Sequence, residues 1–423
     1  MRQVTRSSAP QHFGEFRCLG ADCEDTCCDG WAVTIDKTTY EKYERCPDAA
    51  WRERFRQLVT INAANASEHD YARVQLASTT CPFVAEGLCS IHRDLGEEYL
   101  AVTCARFPRV WNAVDDVLEQ ALDLACPEAA RRALLDPQPM TFSEGPLAGS
   151  DFSTARIAAI DTASQHAGKP YRHFRAVRTF VVGLLQNRTL PVWKRLVILG
   201  FFCDKLQEVG SGVSEAQLGE LLQGYEAAVG GGLFEDSLAQ LQAHAGVRVE
   251  ILLELIVSRI TSDFTNRRFL ACYKEFMEGV GWGANSTMAD ICSRFQDAHS
   301  RYCAPFLSRH EHILEQYLVN YVYRNLFPFG PQESTYKLRD QMIDRSIHNE
   351  FMLLAVYYST IDLLLGGMAG LHEEKFGERQ VIDVIYTFTR TFEHSLTFPQ
   401  RVIQALDEKG LHGPAGVAVL VKS

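Results

Sequence analysis

Thirteen cysteines stand in this chain, and nine of them fall in its first 126 residues: Cys18, Cys23, Cys27, Cys28, Cys46, Cys81, Cys89, Cys104 and Cys126. "FRCLGADCEDTCCDGW" spaces the first four as C-x4-C-x3-C-C, and "CPFVAEGLCSIHRDLGEEYLAVTCARFPRV" spaces the next three as C-x7-C-x14-C. Cys126 follows in "DLACPE". Thiolates at irregular spacings suit iron-sulfur clusters, where each iron takes one protein sulfur and the ligands arrive from distant loops. A zinc ribbon instead brings two C-x2-4-C knuckles, and here only Cys18 to Cys23 and Cys23 to Cys27 approach that spacing. Four ligands complete one cluster, so the eight cysteines other than Cys46 make either two sites or one site plus bystanders. Adjacent Cys27 and Cys28 do not readily point at one metal, so one of the pair is structural or serves a second centre. For a single centre the expected ligands are Cys23, one of Cys27 and Cys28, and two or more of Cys81, Cys89 and Cys104, because the loops "DCEDTCC" and "CPFVAEGLC" are short enough to close around it. Cys46, Cys203, Cys272, Cys292 and Cys303 read as small buried core residues.

The rest of the chain has to position those thiols. Its 423 residues suffice for two or three domains, and 46% hydrophobic residues build a sizeable core. A net charge of -11 and the lack of long basic stretches argue against a nucleic-acid partner. An acidic surface instead tolerates a protein carrying exposed lysines. The N-terminal "MRQVTRSSAPQHFGEF" is not a secretory signal, and the longest apolar stretch, Phe351 to Leu365, is broken by Ser359, Thr360 and Asp362. A cytoplasmic protein without membrane association is therefore expected. Thiols are kept reduced in that compartment, so a Cys cluster points to metal or catalysis rather than disulfides.

A boundary falls near 133–153, where "ALLDPQPMTFSEGPLAGSDFS" collects Pro, Gly and Ser. It separates a Cys-rich metal-binding module, 1–135, from a mainly helical domain, 150–423, expected to bind substrate or cofactor. Leu314, Tyr317, Leu318, Tyr321 and Val322 recur at helical spacing, as do Leu253, Ile256, Val257, Ile260 and Phe264. Similar patterns run through Val192 to Leu206 and Ile382 to Phe392, while GGG at 230–232 marks a helix end. Strand candidates are "WAVTID" and the terminal "GVAVLVKS". The expected fold is thus mainly α, a small Cys-rich module followed by a larger helical domain.

Taken in order, "FRCLGADCEDTCCDGWAVTIDKTTYEKY", "CPFVAEGLCSIHRDLGEEYLAVTCARFPR" and "LACPE" closely resemble the flagellin lysine-N-methylase family, within a wider group of Cys-rich modules described as zinc- or iron-chelating. The later "YLVNYVYRNLFPFG" is also similar to that family. The resemblance implies methyl transfer from S-adenosylmethionine to surface lysines of flagellin by a protein holding a [4Fe-4S] cluster. Matched position by position, its clustered cysteines are Cys18, Cys23, Cys27, Cys28, Cys81, Cys89, Cys104 and Cys126. Cys46 falls outside the pattern, and no catalytic or S-adenosylmethionine-binding residue carries over. The usual radical signature is C-x3-C-x2-C, from which C-x4-C-x3-C-C departs. The alternative is an iron-sulfur or zinc-binding module, used in electron transfer or protein docking, without methyltransferase activity.

Other residues are weighed against plainer roles. A lysine of pKa about 10.4 must lose its proton before it attacks a methyl sulfonium, and Tyr317, Tyr321 and Tyr323 are candidates to line its channel or to be ordinary core. His92 lies close to Cys89 as a ligand or a solvent-side residue. Arg106 and Arg109 flank Cys104 as counter-charges or surface ion pairs. "GVGWGANS" at 279–286 is a weak nucleotide turn or a helix end. His310 and His312 leave a helix in different directions, and "HEEKF" lacks the second His of a metalloprotease helix.

Overall fold

Ile347–His372 is apolar on every face because every face is covered. A helix of this kind is either a core helix or a membrane span. The stretch Ile347–Lys375 is long and apolar enough to cross a membrane, and its apolar window is 100% buried inside the protein. Ser359 and Thr360 satisfy their hydroxyls on carbonyls one turn back, and Asp362 is ion-paired. The computed structural model describes residues 3–28, 33–63, 67–76, 80–147, 158–163, 169–262, 266–334 and 345–422.

Around this central helix pack Val192–Val209, Ala245–Ser262, Arg267–Gly279, Met288–Ala298, Glu378–Phe388, Phe398–Glu408 and Pro414–Val421. Asn266 and Thr287 cap two of them, each accepting from backbone N–H of the first turn, as Ser214 does for Glu215–Gly230. The helices expected at 314–322, 192–206 and 382–392 are present as His312–Arg324, Val192–Val209 and Glu378–Phe388. That expected at 253–264 is Ala245–Ser262, with Phe264 outside the described residues. The glycines at 230–232 end Glu215–Gly230.

Arg267–Gly279 lies directly on the central helix because two glycines meet there. A Cβ at Gly279 would sit 1.9 Å from the Gly367 carbonyl oxygen, and one at Gly367 would sit 2.1 Å from the Phe276 ring. Gly279→Ala forces the two backbones apart and is expected to lower stability by about 1–3 kcal/mol. The change reads as a lower urea midpoint at unchanged slope.

The terminal "GVAVLVKS" is helical, not a strand: Pro414–Val421 packs between Val192–Val209 and the central helix. A short continuous apolar run has no period to separate the two, and Pro414 at the first helical position sets a helix-compatible φ. Of "WAVTID", Thr34–Ile35 is a strand, while Trp31 and Ala32 lie outside the described residues.

A mixed six-stranded sheet flanks the helices in the order Glu333–Ser334, Ala158–Ile160, Arg109–Val114, Val117–Leu122, Arg6–Pro10, Phe142–Pro146. Arg6–Pro10 runs parallel to Val117–Leu122, Ala158–Ile160 runs parallel to Arg109–Val114, and the other pairs are antiparallel. Residues 148–153 of the linker expected at 133–153 lie outside the described residues.

Two main apolar cores, with two smaller clusters, are present among the described residues. A small one gathers Val33, Ile35, Tyr43, Cys46, Phe55, Val59, Phe83, Ile91 and their neighbours up to Cys104. The large one takes Val114, Leu124 and Ala130 together with the helices as far as Val421. Within the small core Asp36 caps Lys37–Glu44 and also accepts from Val102 N, tying the helix to the Cys104 segment.

Candidate functional site

The front thiols sit on loops held by a few specific contacts. Phe16 is buried with Leu122, Cys126 and Ala129, and the Arg109 guanidinium lies 5.0 Å from its ring centroid. From there the chain turns through Gly20–Asp22, where Gly20 N donates to Cys18 Sγ at 3.4 Å. Glu24 forms a two-point ion pair with Arg131 on Pro127–Leu134, the helix that Cys126 begins. Arg390 donates to Asp25 Oδ2 at 2.8 Å, to Thr26 O at 2.9 Å and to Ala125 O at 2.7 Å. The loop carrying Cys23 and Cys27 is thereby clamped against the one carrying Cys126.

Cys28 lies against Cys27, its thiol hydrogen-bonded to the Cys27 sulfur. Its carbonyl accepts from Cys81 N at 2.9 Å, and its side chain packs on the small core together with Cys81, Cys89 and Cys104. Cys27 instead lines a small cavity with Phe107, Ala125, Arg390 and His394. Cys18 is exposed, while Cys81 and Cys126 are buried. The expected thiols are neighbours through Cys27, which lies near Cys28, Cys81 and Cys104 as well as near Cys23 and Cys126. Cys23, expected beside Cys81, Cys89 and Cys104, has Cys18, Cys27 and Cys126 as its thiol neighbours.

Burial pushes Cys81 and Cys104 up, and nearby thiols add to it. Burial also lifts Cys126 to about 12. Cys27 is the exception, drawn down to about 7 by a hydrogen bond from Cys28, with Arg390 adding to the effect against burial. Thiolates packed this closely repel one another and need compensating positive charge, which a metal or cluster supplies as it displaces their protons. The donor set suits such a group. A tetrahedral zinc with Zn–S of about 2.3 Å brings its sulfurs to about 3.8 Å from one another. Among the described residues no three of these sulfurs lie within 4.8 Å of one another.

Beside Cys27 lies a polar network that runs from buried Asp123 and Glu393 out to partly exposed His394. Asp123 Oδ2 is 2.9 Å from His394 Nε2 and accepts from Arg324 at 2.6 Å, while its Oδ1 accepts from Ala125 N at 3.0 Å. Arg324 also reaches Glu393 at 3.3 Å, and Glu393 accepts from the Tyr317 hydroxyl at 2.8 Å. Burial opposes ionisation of Asp123, yet the Arg324 guanidinium and His394 outweigh it and hold the carboxyl well below the usual range. Thr389–Glu393 forms a π-helical turn, a feature found at functional sites, and it places Arg390, Glu393 and His394 around the network. A carboxylate bonded to one imidazole nitrogen orients the ring as a proton acceptor.

Residues 178–420 match the FliB lysine N-methylase C-terminal domain, more than half of the chain. The chain belongs to the FliB lysine N-methylase family. Two curated relatives carry the name lysine-N-methylase: that of Salmonella choleraesuis (strain SC-B67) is 29% identical over 259 residues, 60% of this chain and 61% of the relative, and that of Salmonella typhimurium (strain LT2) is 28% identical over the same shares. The chain thus spans about three fifths of their length. A flagellar biosynthetic protein FliU of Salmonella muenchen is 34% identical over 145 residues, 34% of this chain and 85% of the relative. No solved structure matches the chain. Tyr317, Arg324, Arg390, Glu393 and His394 lie within the FliB-matched segment, whereas Asp123 and the eight thiols precede it.

The remaining candidates fall elsewhere. Tyr321 packs edge-on to Tyr357, and Tyr323 stacks on Phe142 and bonds Ser8, both in the core; the Tyr317 hydroxyl bonds Glu393 in the polar network. Arg106 lies over Trp111. His92 is exposed on Ser90–Leu95. His310 stacks on Phe306, His372 meets Glu275, and "GVGWGANS" closes Arg267–Gly279 with Gly281 at φ +59°, preceded by a helix and not a strand. Cys46, Cys203, Cys272, Cys292 and Cys303 are buried. His299, Cys303 and Asp362 bring ligand atoms within 4.8 Å of one another, but the Arg248 guanidinium already holds Asp362 at 2.6 Å, making an interior ion pair.

Proposed function

We propose that this chain is a cytoplasmic protein-lysine N-methyltransferase that moves methyl groups from S-adenosylmethionine to surface lysines of flagellin, with a [4Fe-4S] cluster held by its front thiols. The observation that carries the reading is the FliB lysine N-methylase match over residues 178–420. The names of the relatives supply the reaction class, and the flagellar protein FliU among them supports flagellin as the target.

The polar network supplies what such a transfer asks of the protein. A lysine arrives as ammonium, with pKa about 10.4. His394, oriented by Asp123, takes the proton, and Arg324 keeps Asp123 ionised as the imidazole becomes cationic. The neutral amine then attacks the methyl carbon: the N–C bond forms as the S–C bond breaks, and sulfur keeps the electron pair. Phe107 and Ala125 give the cavity apolar wall that disfavours the charged amine. The thiols that would hold the cluster come from Cys18, Cys23, Cys27, Cys28, Cys81, Cys89, Cys104 and Cys126, and when bound it would supply a one-electron redox centre.

The test is calorimetric titration of the anaerobically purified chain with S-adenosylmethionine and S-adenosylhomocysteine. One saturable site per chain is expected for each. A folded, iron-loaded protein that binds neither contradicts the reading.

A further inference from the structure

We infer that the eight front thiols form two separate four-cysteine centres, Cys28, Cys81, Cys89 and Cys104 in one and Cys18, Cys23, Cys27 and Cys126 in the other, and that the second borders the Asp123–His394 site. The inference rests on the iron-sulfur reading above and goes beyond it by dividing the ligands.

The division follows the packing. Cys28, Cys81, Cys89 and Cys104 all pack on one apolar core, that of Tyr43, Phe55 and Phe83. The Cys81 amide is bonded to the Cys28 carbonyl, and Cys89 pairs in a two-stranded ladder with Val84, whose amide bonds the Cys81 carbonyl at 3.0 Å. Those contacts fix three of the four, and the Cys28–Cys27 hydrogen bond joins them to the other set.

Cys126 belongs to a different apolar cluster, with Phe16 and Leu122. Phe16 leads into Cys18, whose sulfur accepts from Gly20 N in the turn that delivers Cys23. The Glu24–Arg131 ion pair and the three-point Arg390 clamp hold the Cys23–Cys27 loop against the Cys126 segment. Adjacent residues Cys27 and Cys28 stand at the junction of the two sets, their sulfurs hydrogen-bonded to each other. Cys28 faces the small core, and Cys27 faces the cavity shared with Arg390 and His394.

Each set holds four thiols, the number a [4Fe-4S] cluster takes from protein. A doublet of neighbouring cysteines is then no longer redundant, since each residue serves its own centre. The arrangement also assigns different duties. The small-core centre staples a module of short strands and helices, and the other, beside the proton-accepting histidine, is the one placed to act on bound substrate.

The test is iron and sulfide quantification with visible and electron paramagnetic resonance spectra, on full-length chain purified and reconstituted without oxygen. Wild type is expected to hold about eight irons and eight sulfides, four per centre. Cys104→Ser and Cys126→Ser are each expected to lose about half, leaving two different residual spectra, and Cys46→Ser to lose nothing. Because Cys104 and Cys126 are packed, Cys89→Ala and the exposed Cys18→Ala repeat the comparison, with far-ultraviolet circular dichroism reporting folding. About four irons in wild type, or complete iron loss from a folded single variant, overturns the two-centre inference and leaves the iron-sulfur reading standing. Zinc in place of iron under strict exclusion of oxygen overturns both.

Discussion

His394→Gln is expected to slow methyl transfer by about 10²–10⁴-fold, the usual contribution of a positioned proton acceptor. His394 is partly exposed, with a side-chain accessibility of 29%, and borders the cavity beside Cys27, so its replacement removes the acceptor without opening the core. Glutamine retains a hydrogen bond to Asp123 and cannot take a proton at neutral pH. Iron content and the unfolding midpoint should therefore stay at wild-type values while kcat falls. The pH profile discriminates this role from a merely structural one. As pH rises toward the lysine pKa of about 10.4, the amine deprotonates unaided, so the deficit should narrow by about tenfold per unit. Asp123→Asn should give a deficit of the same sign with an added loss of stability, because it also removes the nearer carboxylate partner of half-buried Arg324. A variant whose deficit is the same at every pH assigns His394 to packing.

Breaking the Arg248–Asp362 pair is expected to cost about 3–5 kcal/mol, the price of a buried charge left without its partner. Arg248 is fully buried and joins three helices, donating to Asp362 Oδ2 at 2.6 Å and to Leu420 O at 2.7 Å, with Ser359 O at 3.3 Å. Asp362→Asn leaves the guanidinium buried and less well matched, and Arg248→Met leaves the carboxylate so. The double variant should lose less than the sum of the two, which urea denaturation of all four proteins measures. The same pair predicts acid sensitivity. Burial opposes ionisation of Asp362, yet His299 and Arg248 depress its carboxyl below the unfolded value of about 3.9. Its contribution to stability is present above that pH and is lost as pH falls toward the folded value. Asp362→Asn should therefore flatten the decline of the urea midpoint below about pH 4.

The helices were legible where amphipathic periodicity survives because one face is wet, as in Ala245–Ser262 with Glu250 and Glu254 exposed. The sheet was not. Arg109–Val114 and Val117–Leu122 are buried almost residue by residue, so the alternation that announces a strand is missing. The terminal apolar run misled for the same reason, lying buried as Pro414–Val421 among helices. Thiol positions were legible from cysteine density alone, but their grouping depends on Arg390 and Arg131, which bring Cys126 to the first loop from far along the chain. Asp123 and His394 are 271 residues apart and belong to no short motif. Two signals pointed toward them: an aspartate three residues before Cys126 in "DLACPE", and "RTFEH" collecting an arginine, a glutamate and a histidine at the end of an apolar helix.

The measurement that bears most directly on the central claim is mass spectrometry of purified flagellin after incubation with the anaerobically purified chain and S-adenosylmethionine carrying an isotope-labelled methyl group. The account predicts the label on the side-chain nitrogen of surface lysines, in amounts that rise with time and with enzyme and are nearly abolished by His394→Gln. Flagellin lysines that stay unlabelled, with protein that is folded, iron-loaded and binding S-adenosylmethionine, would contradict it.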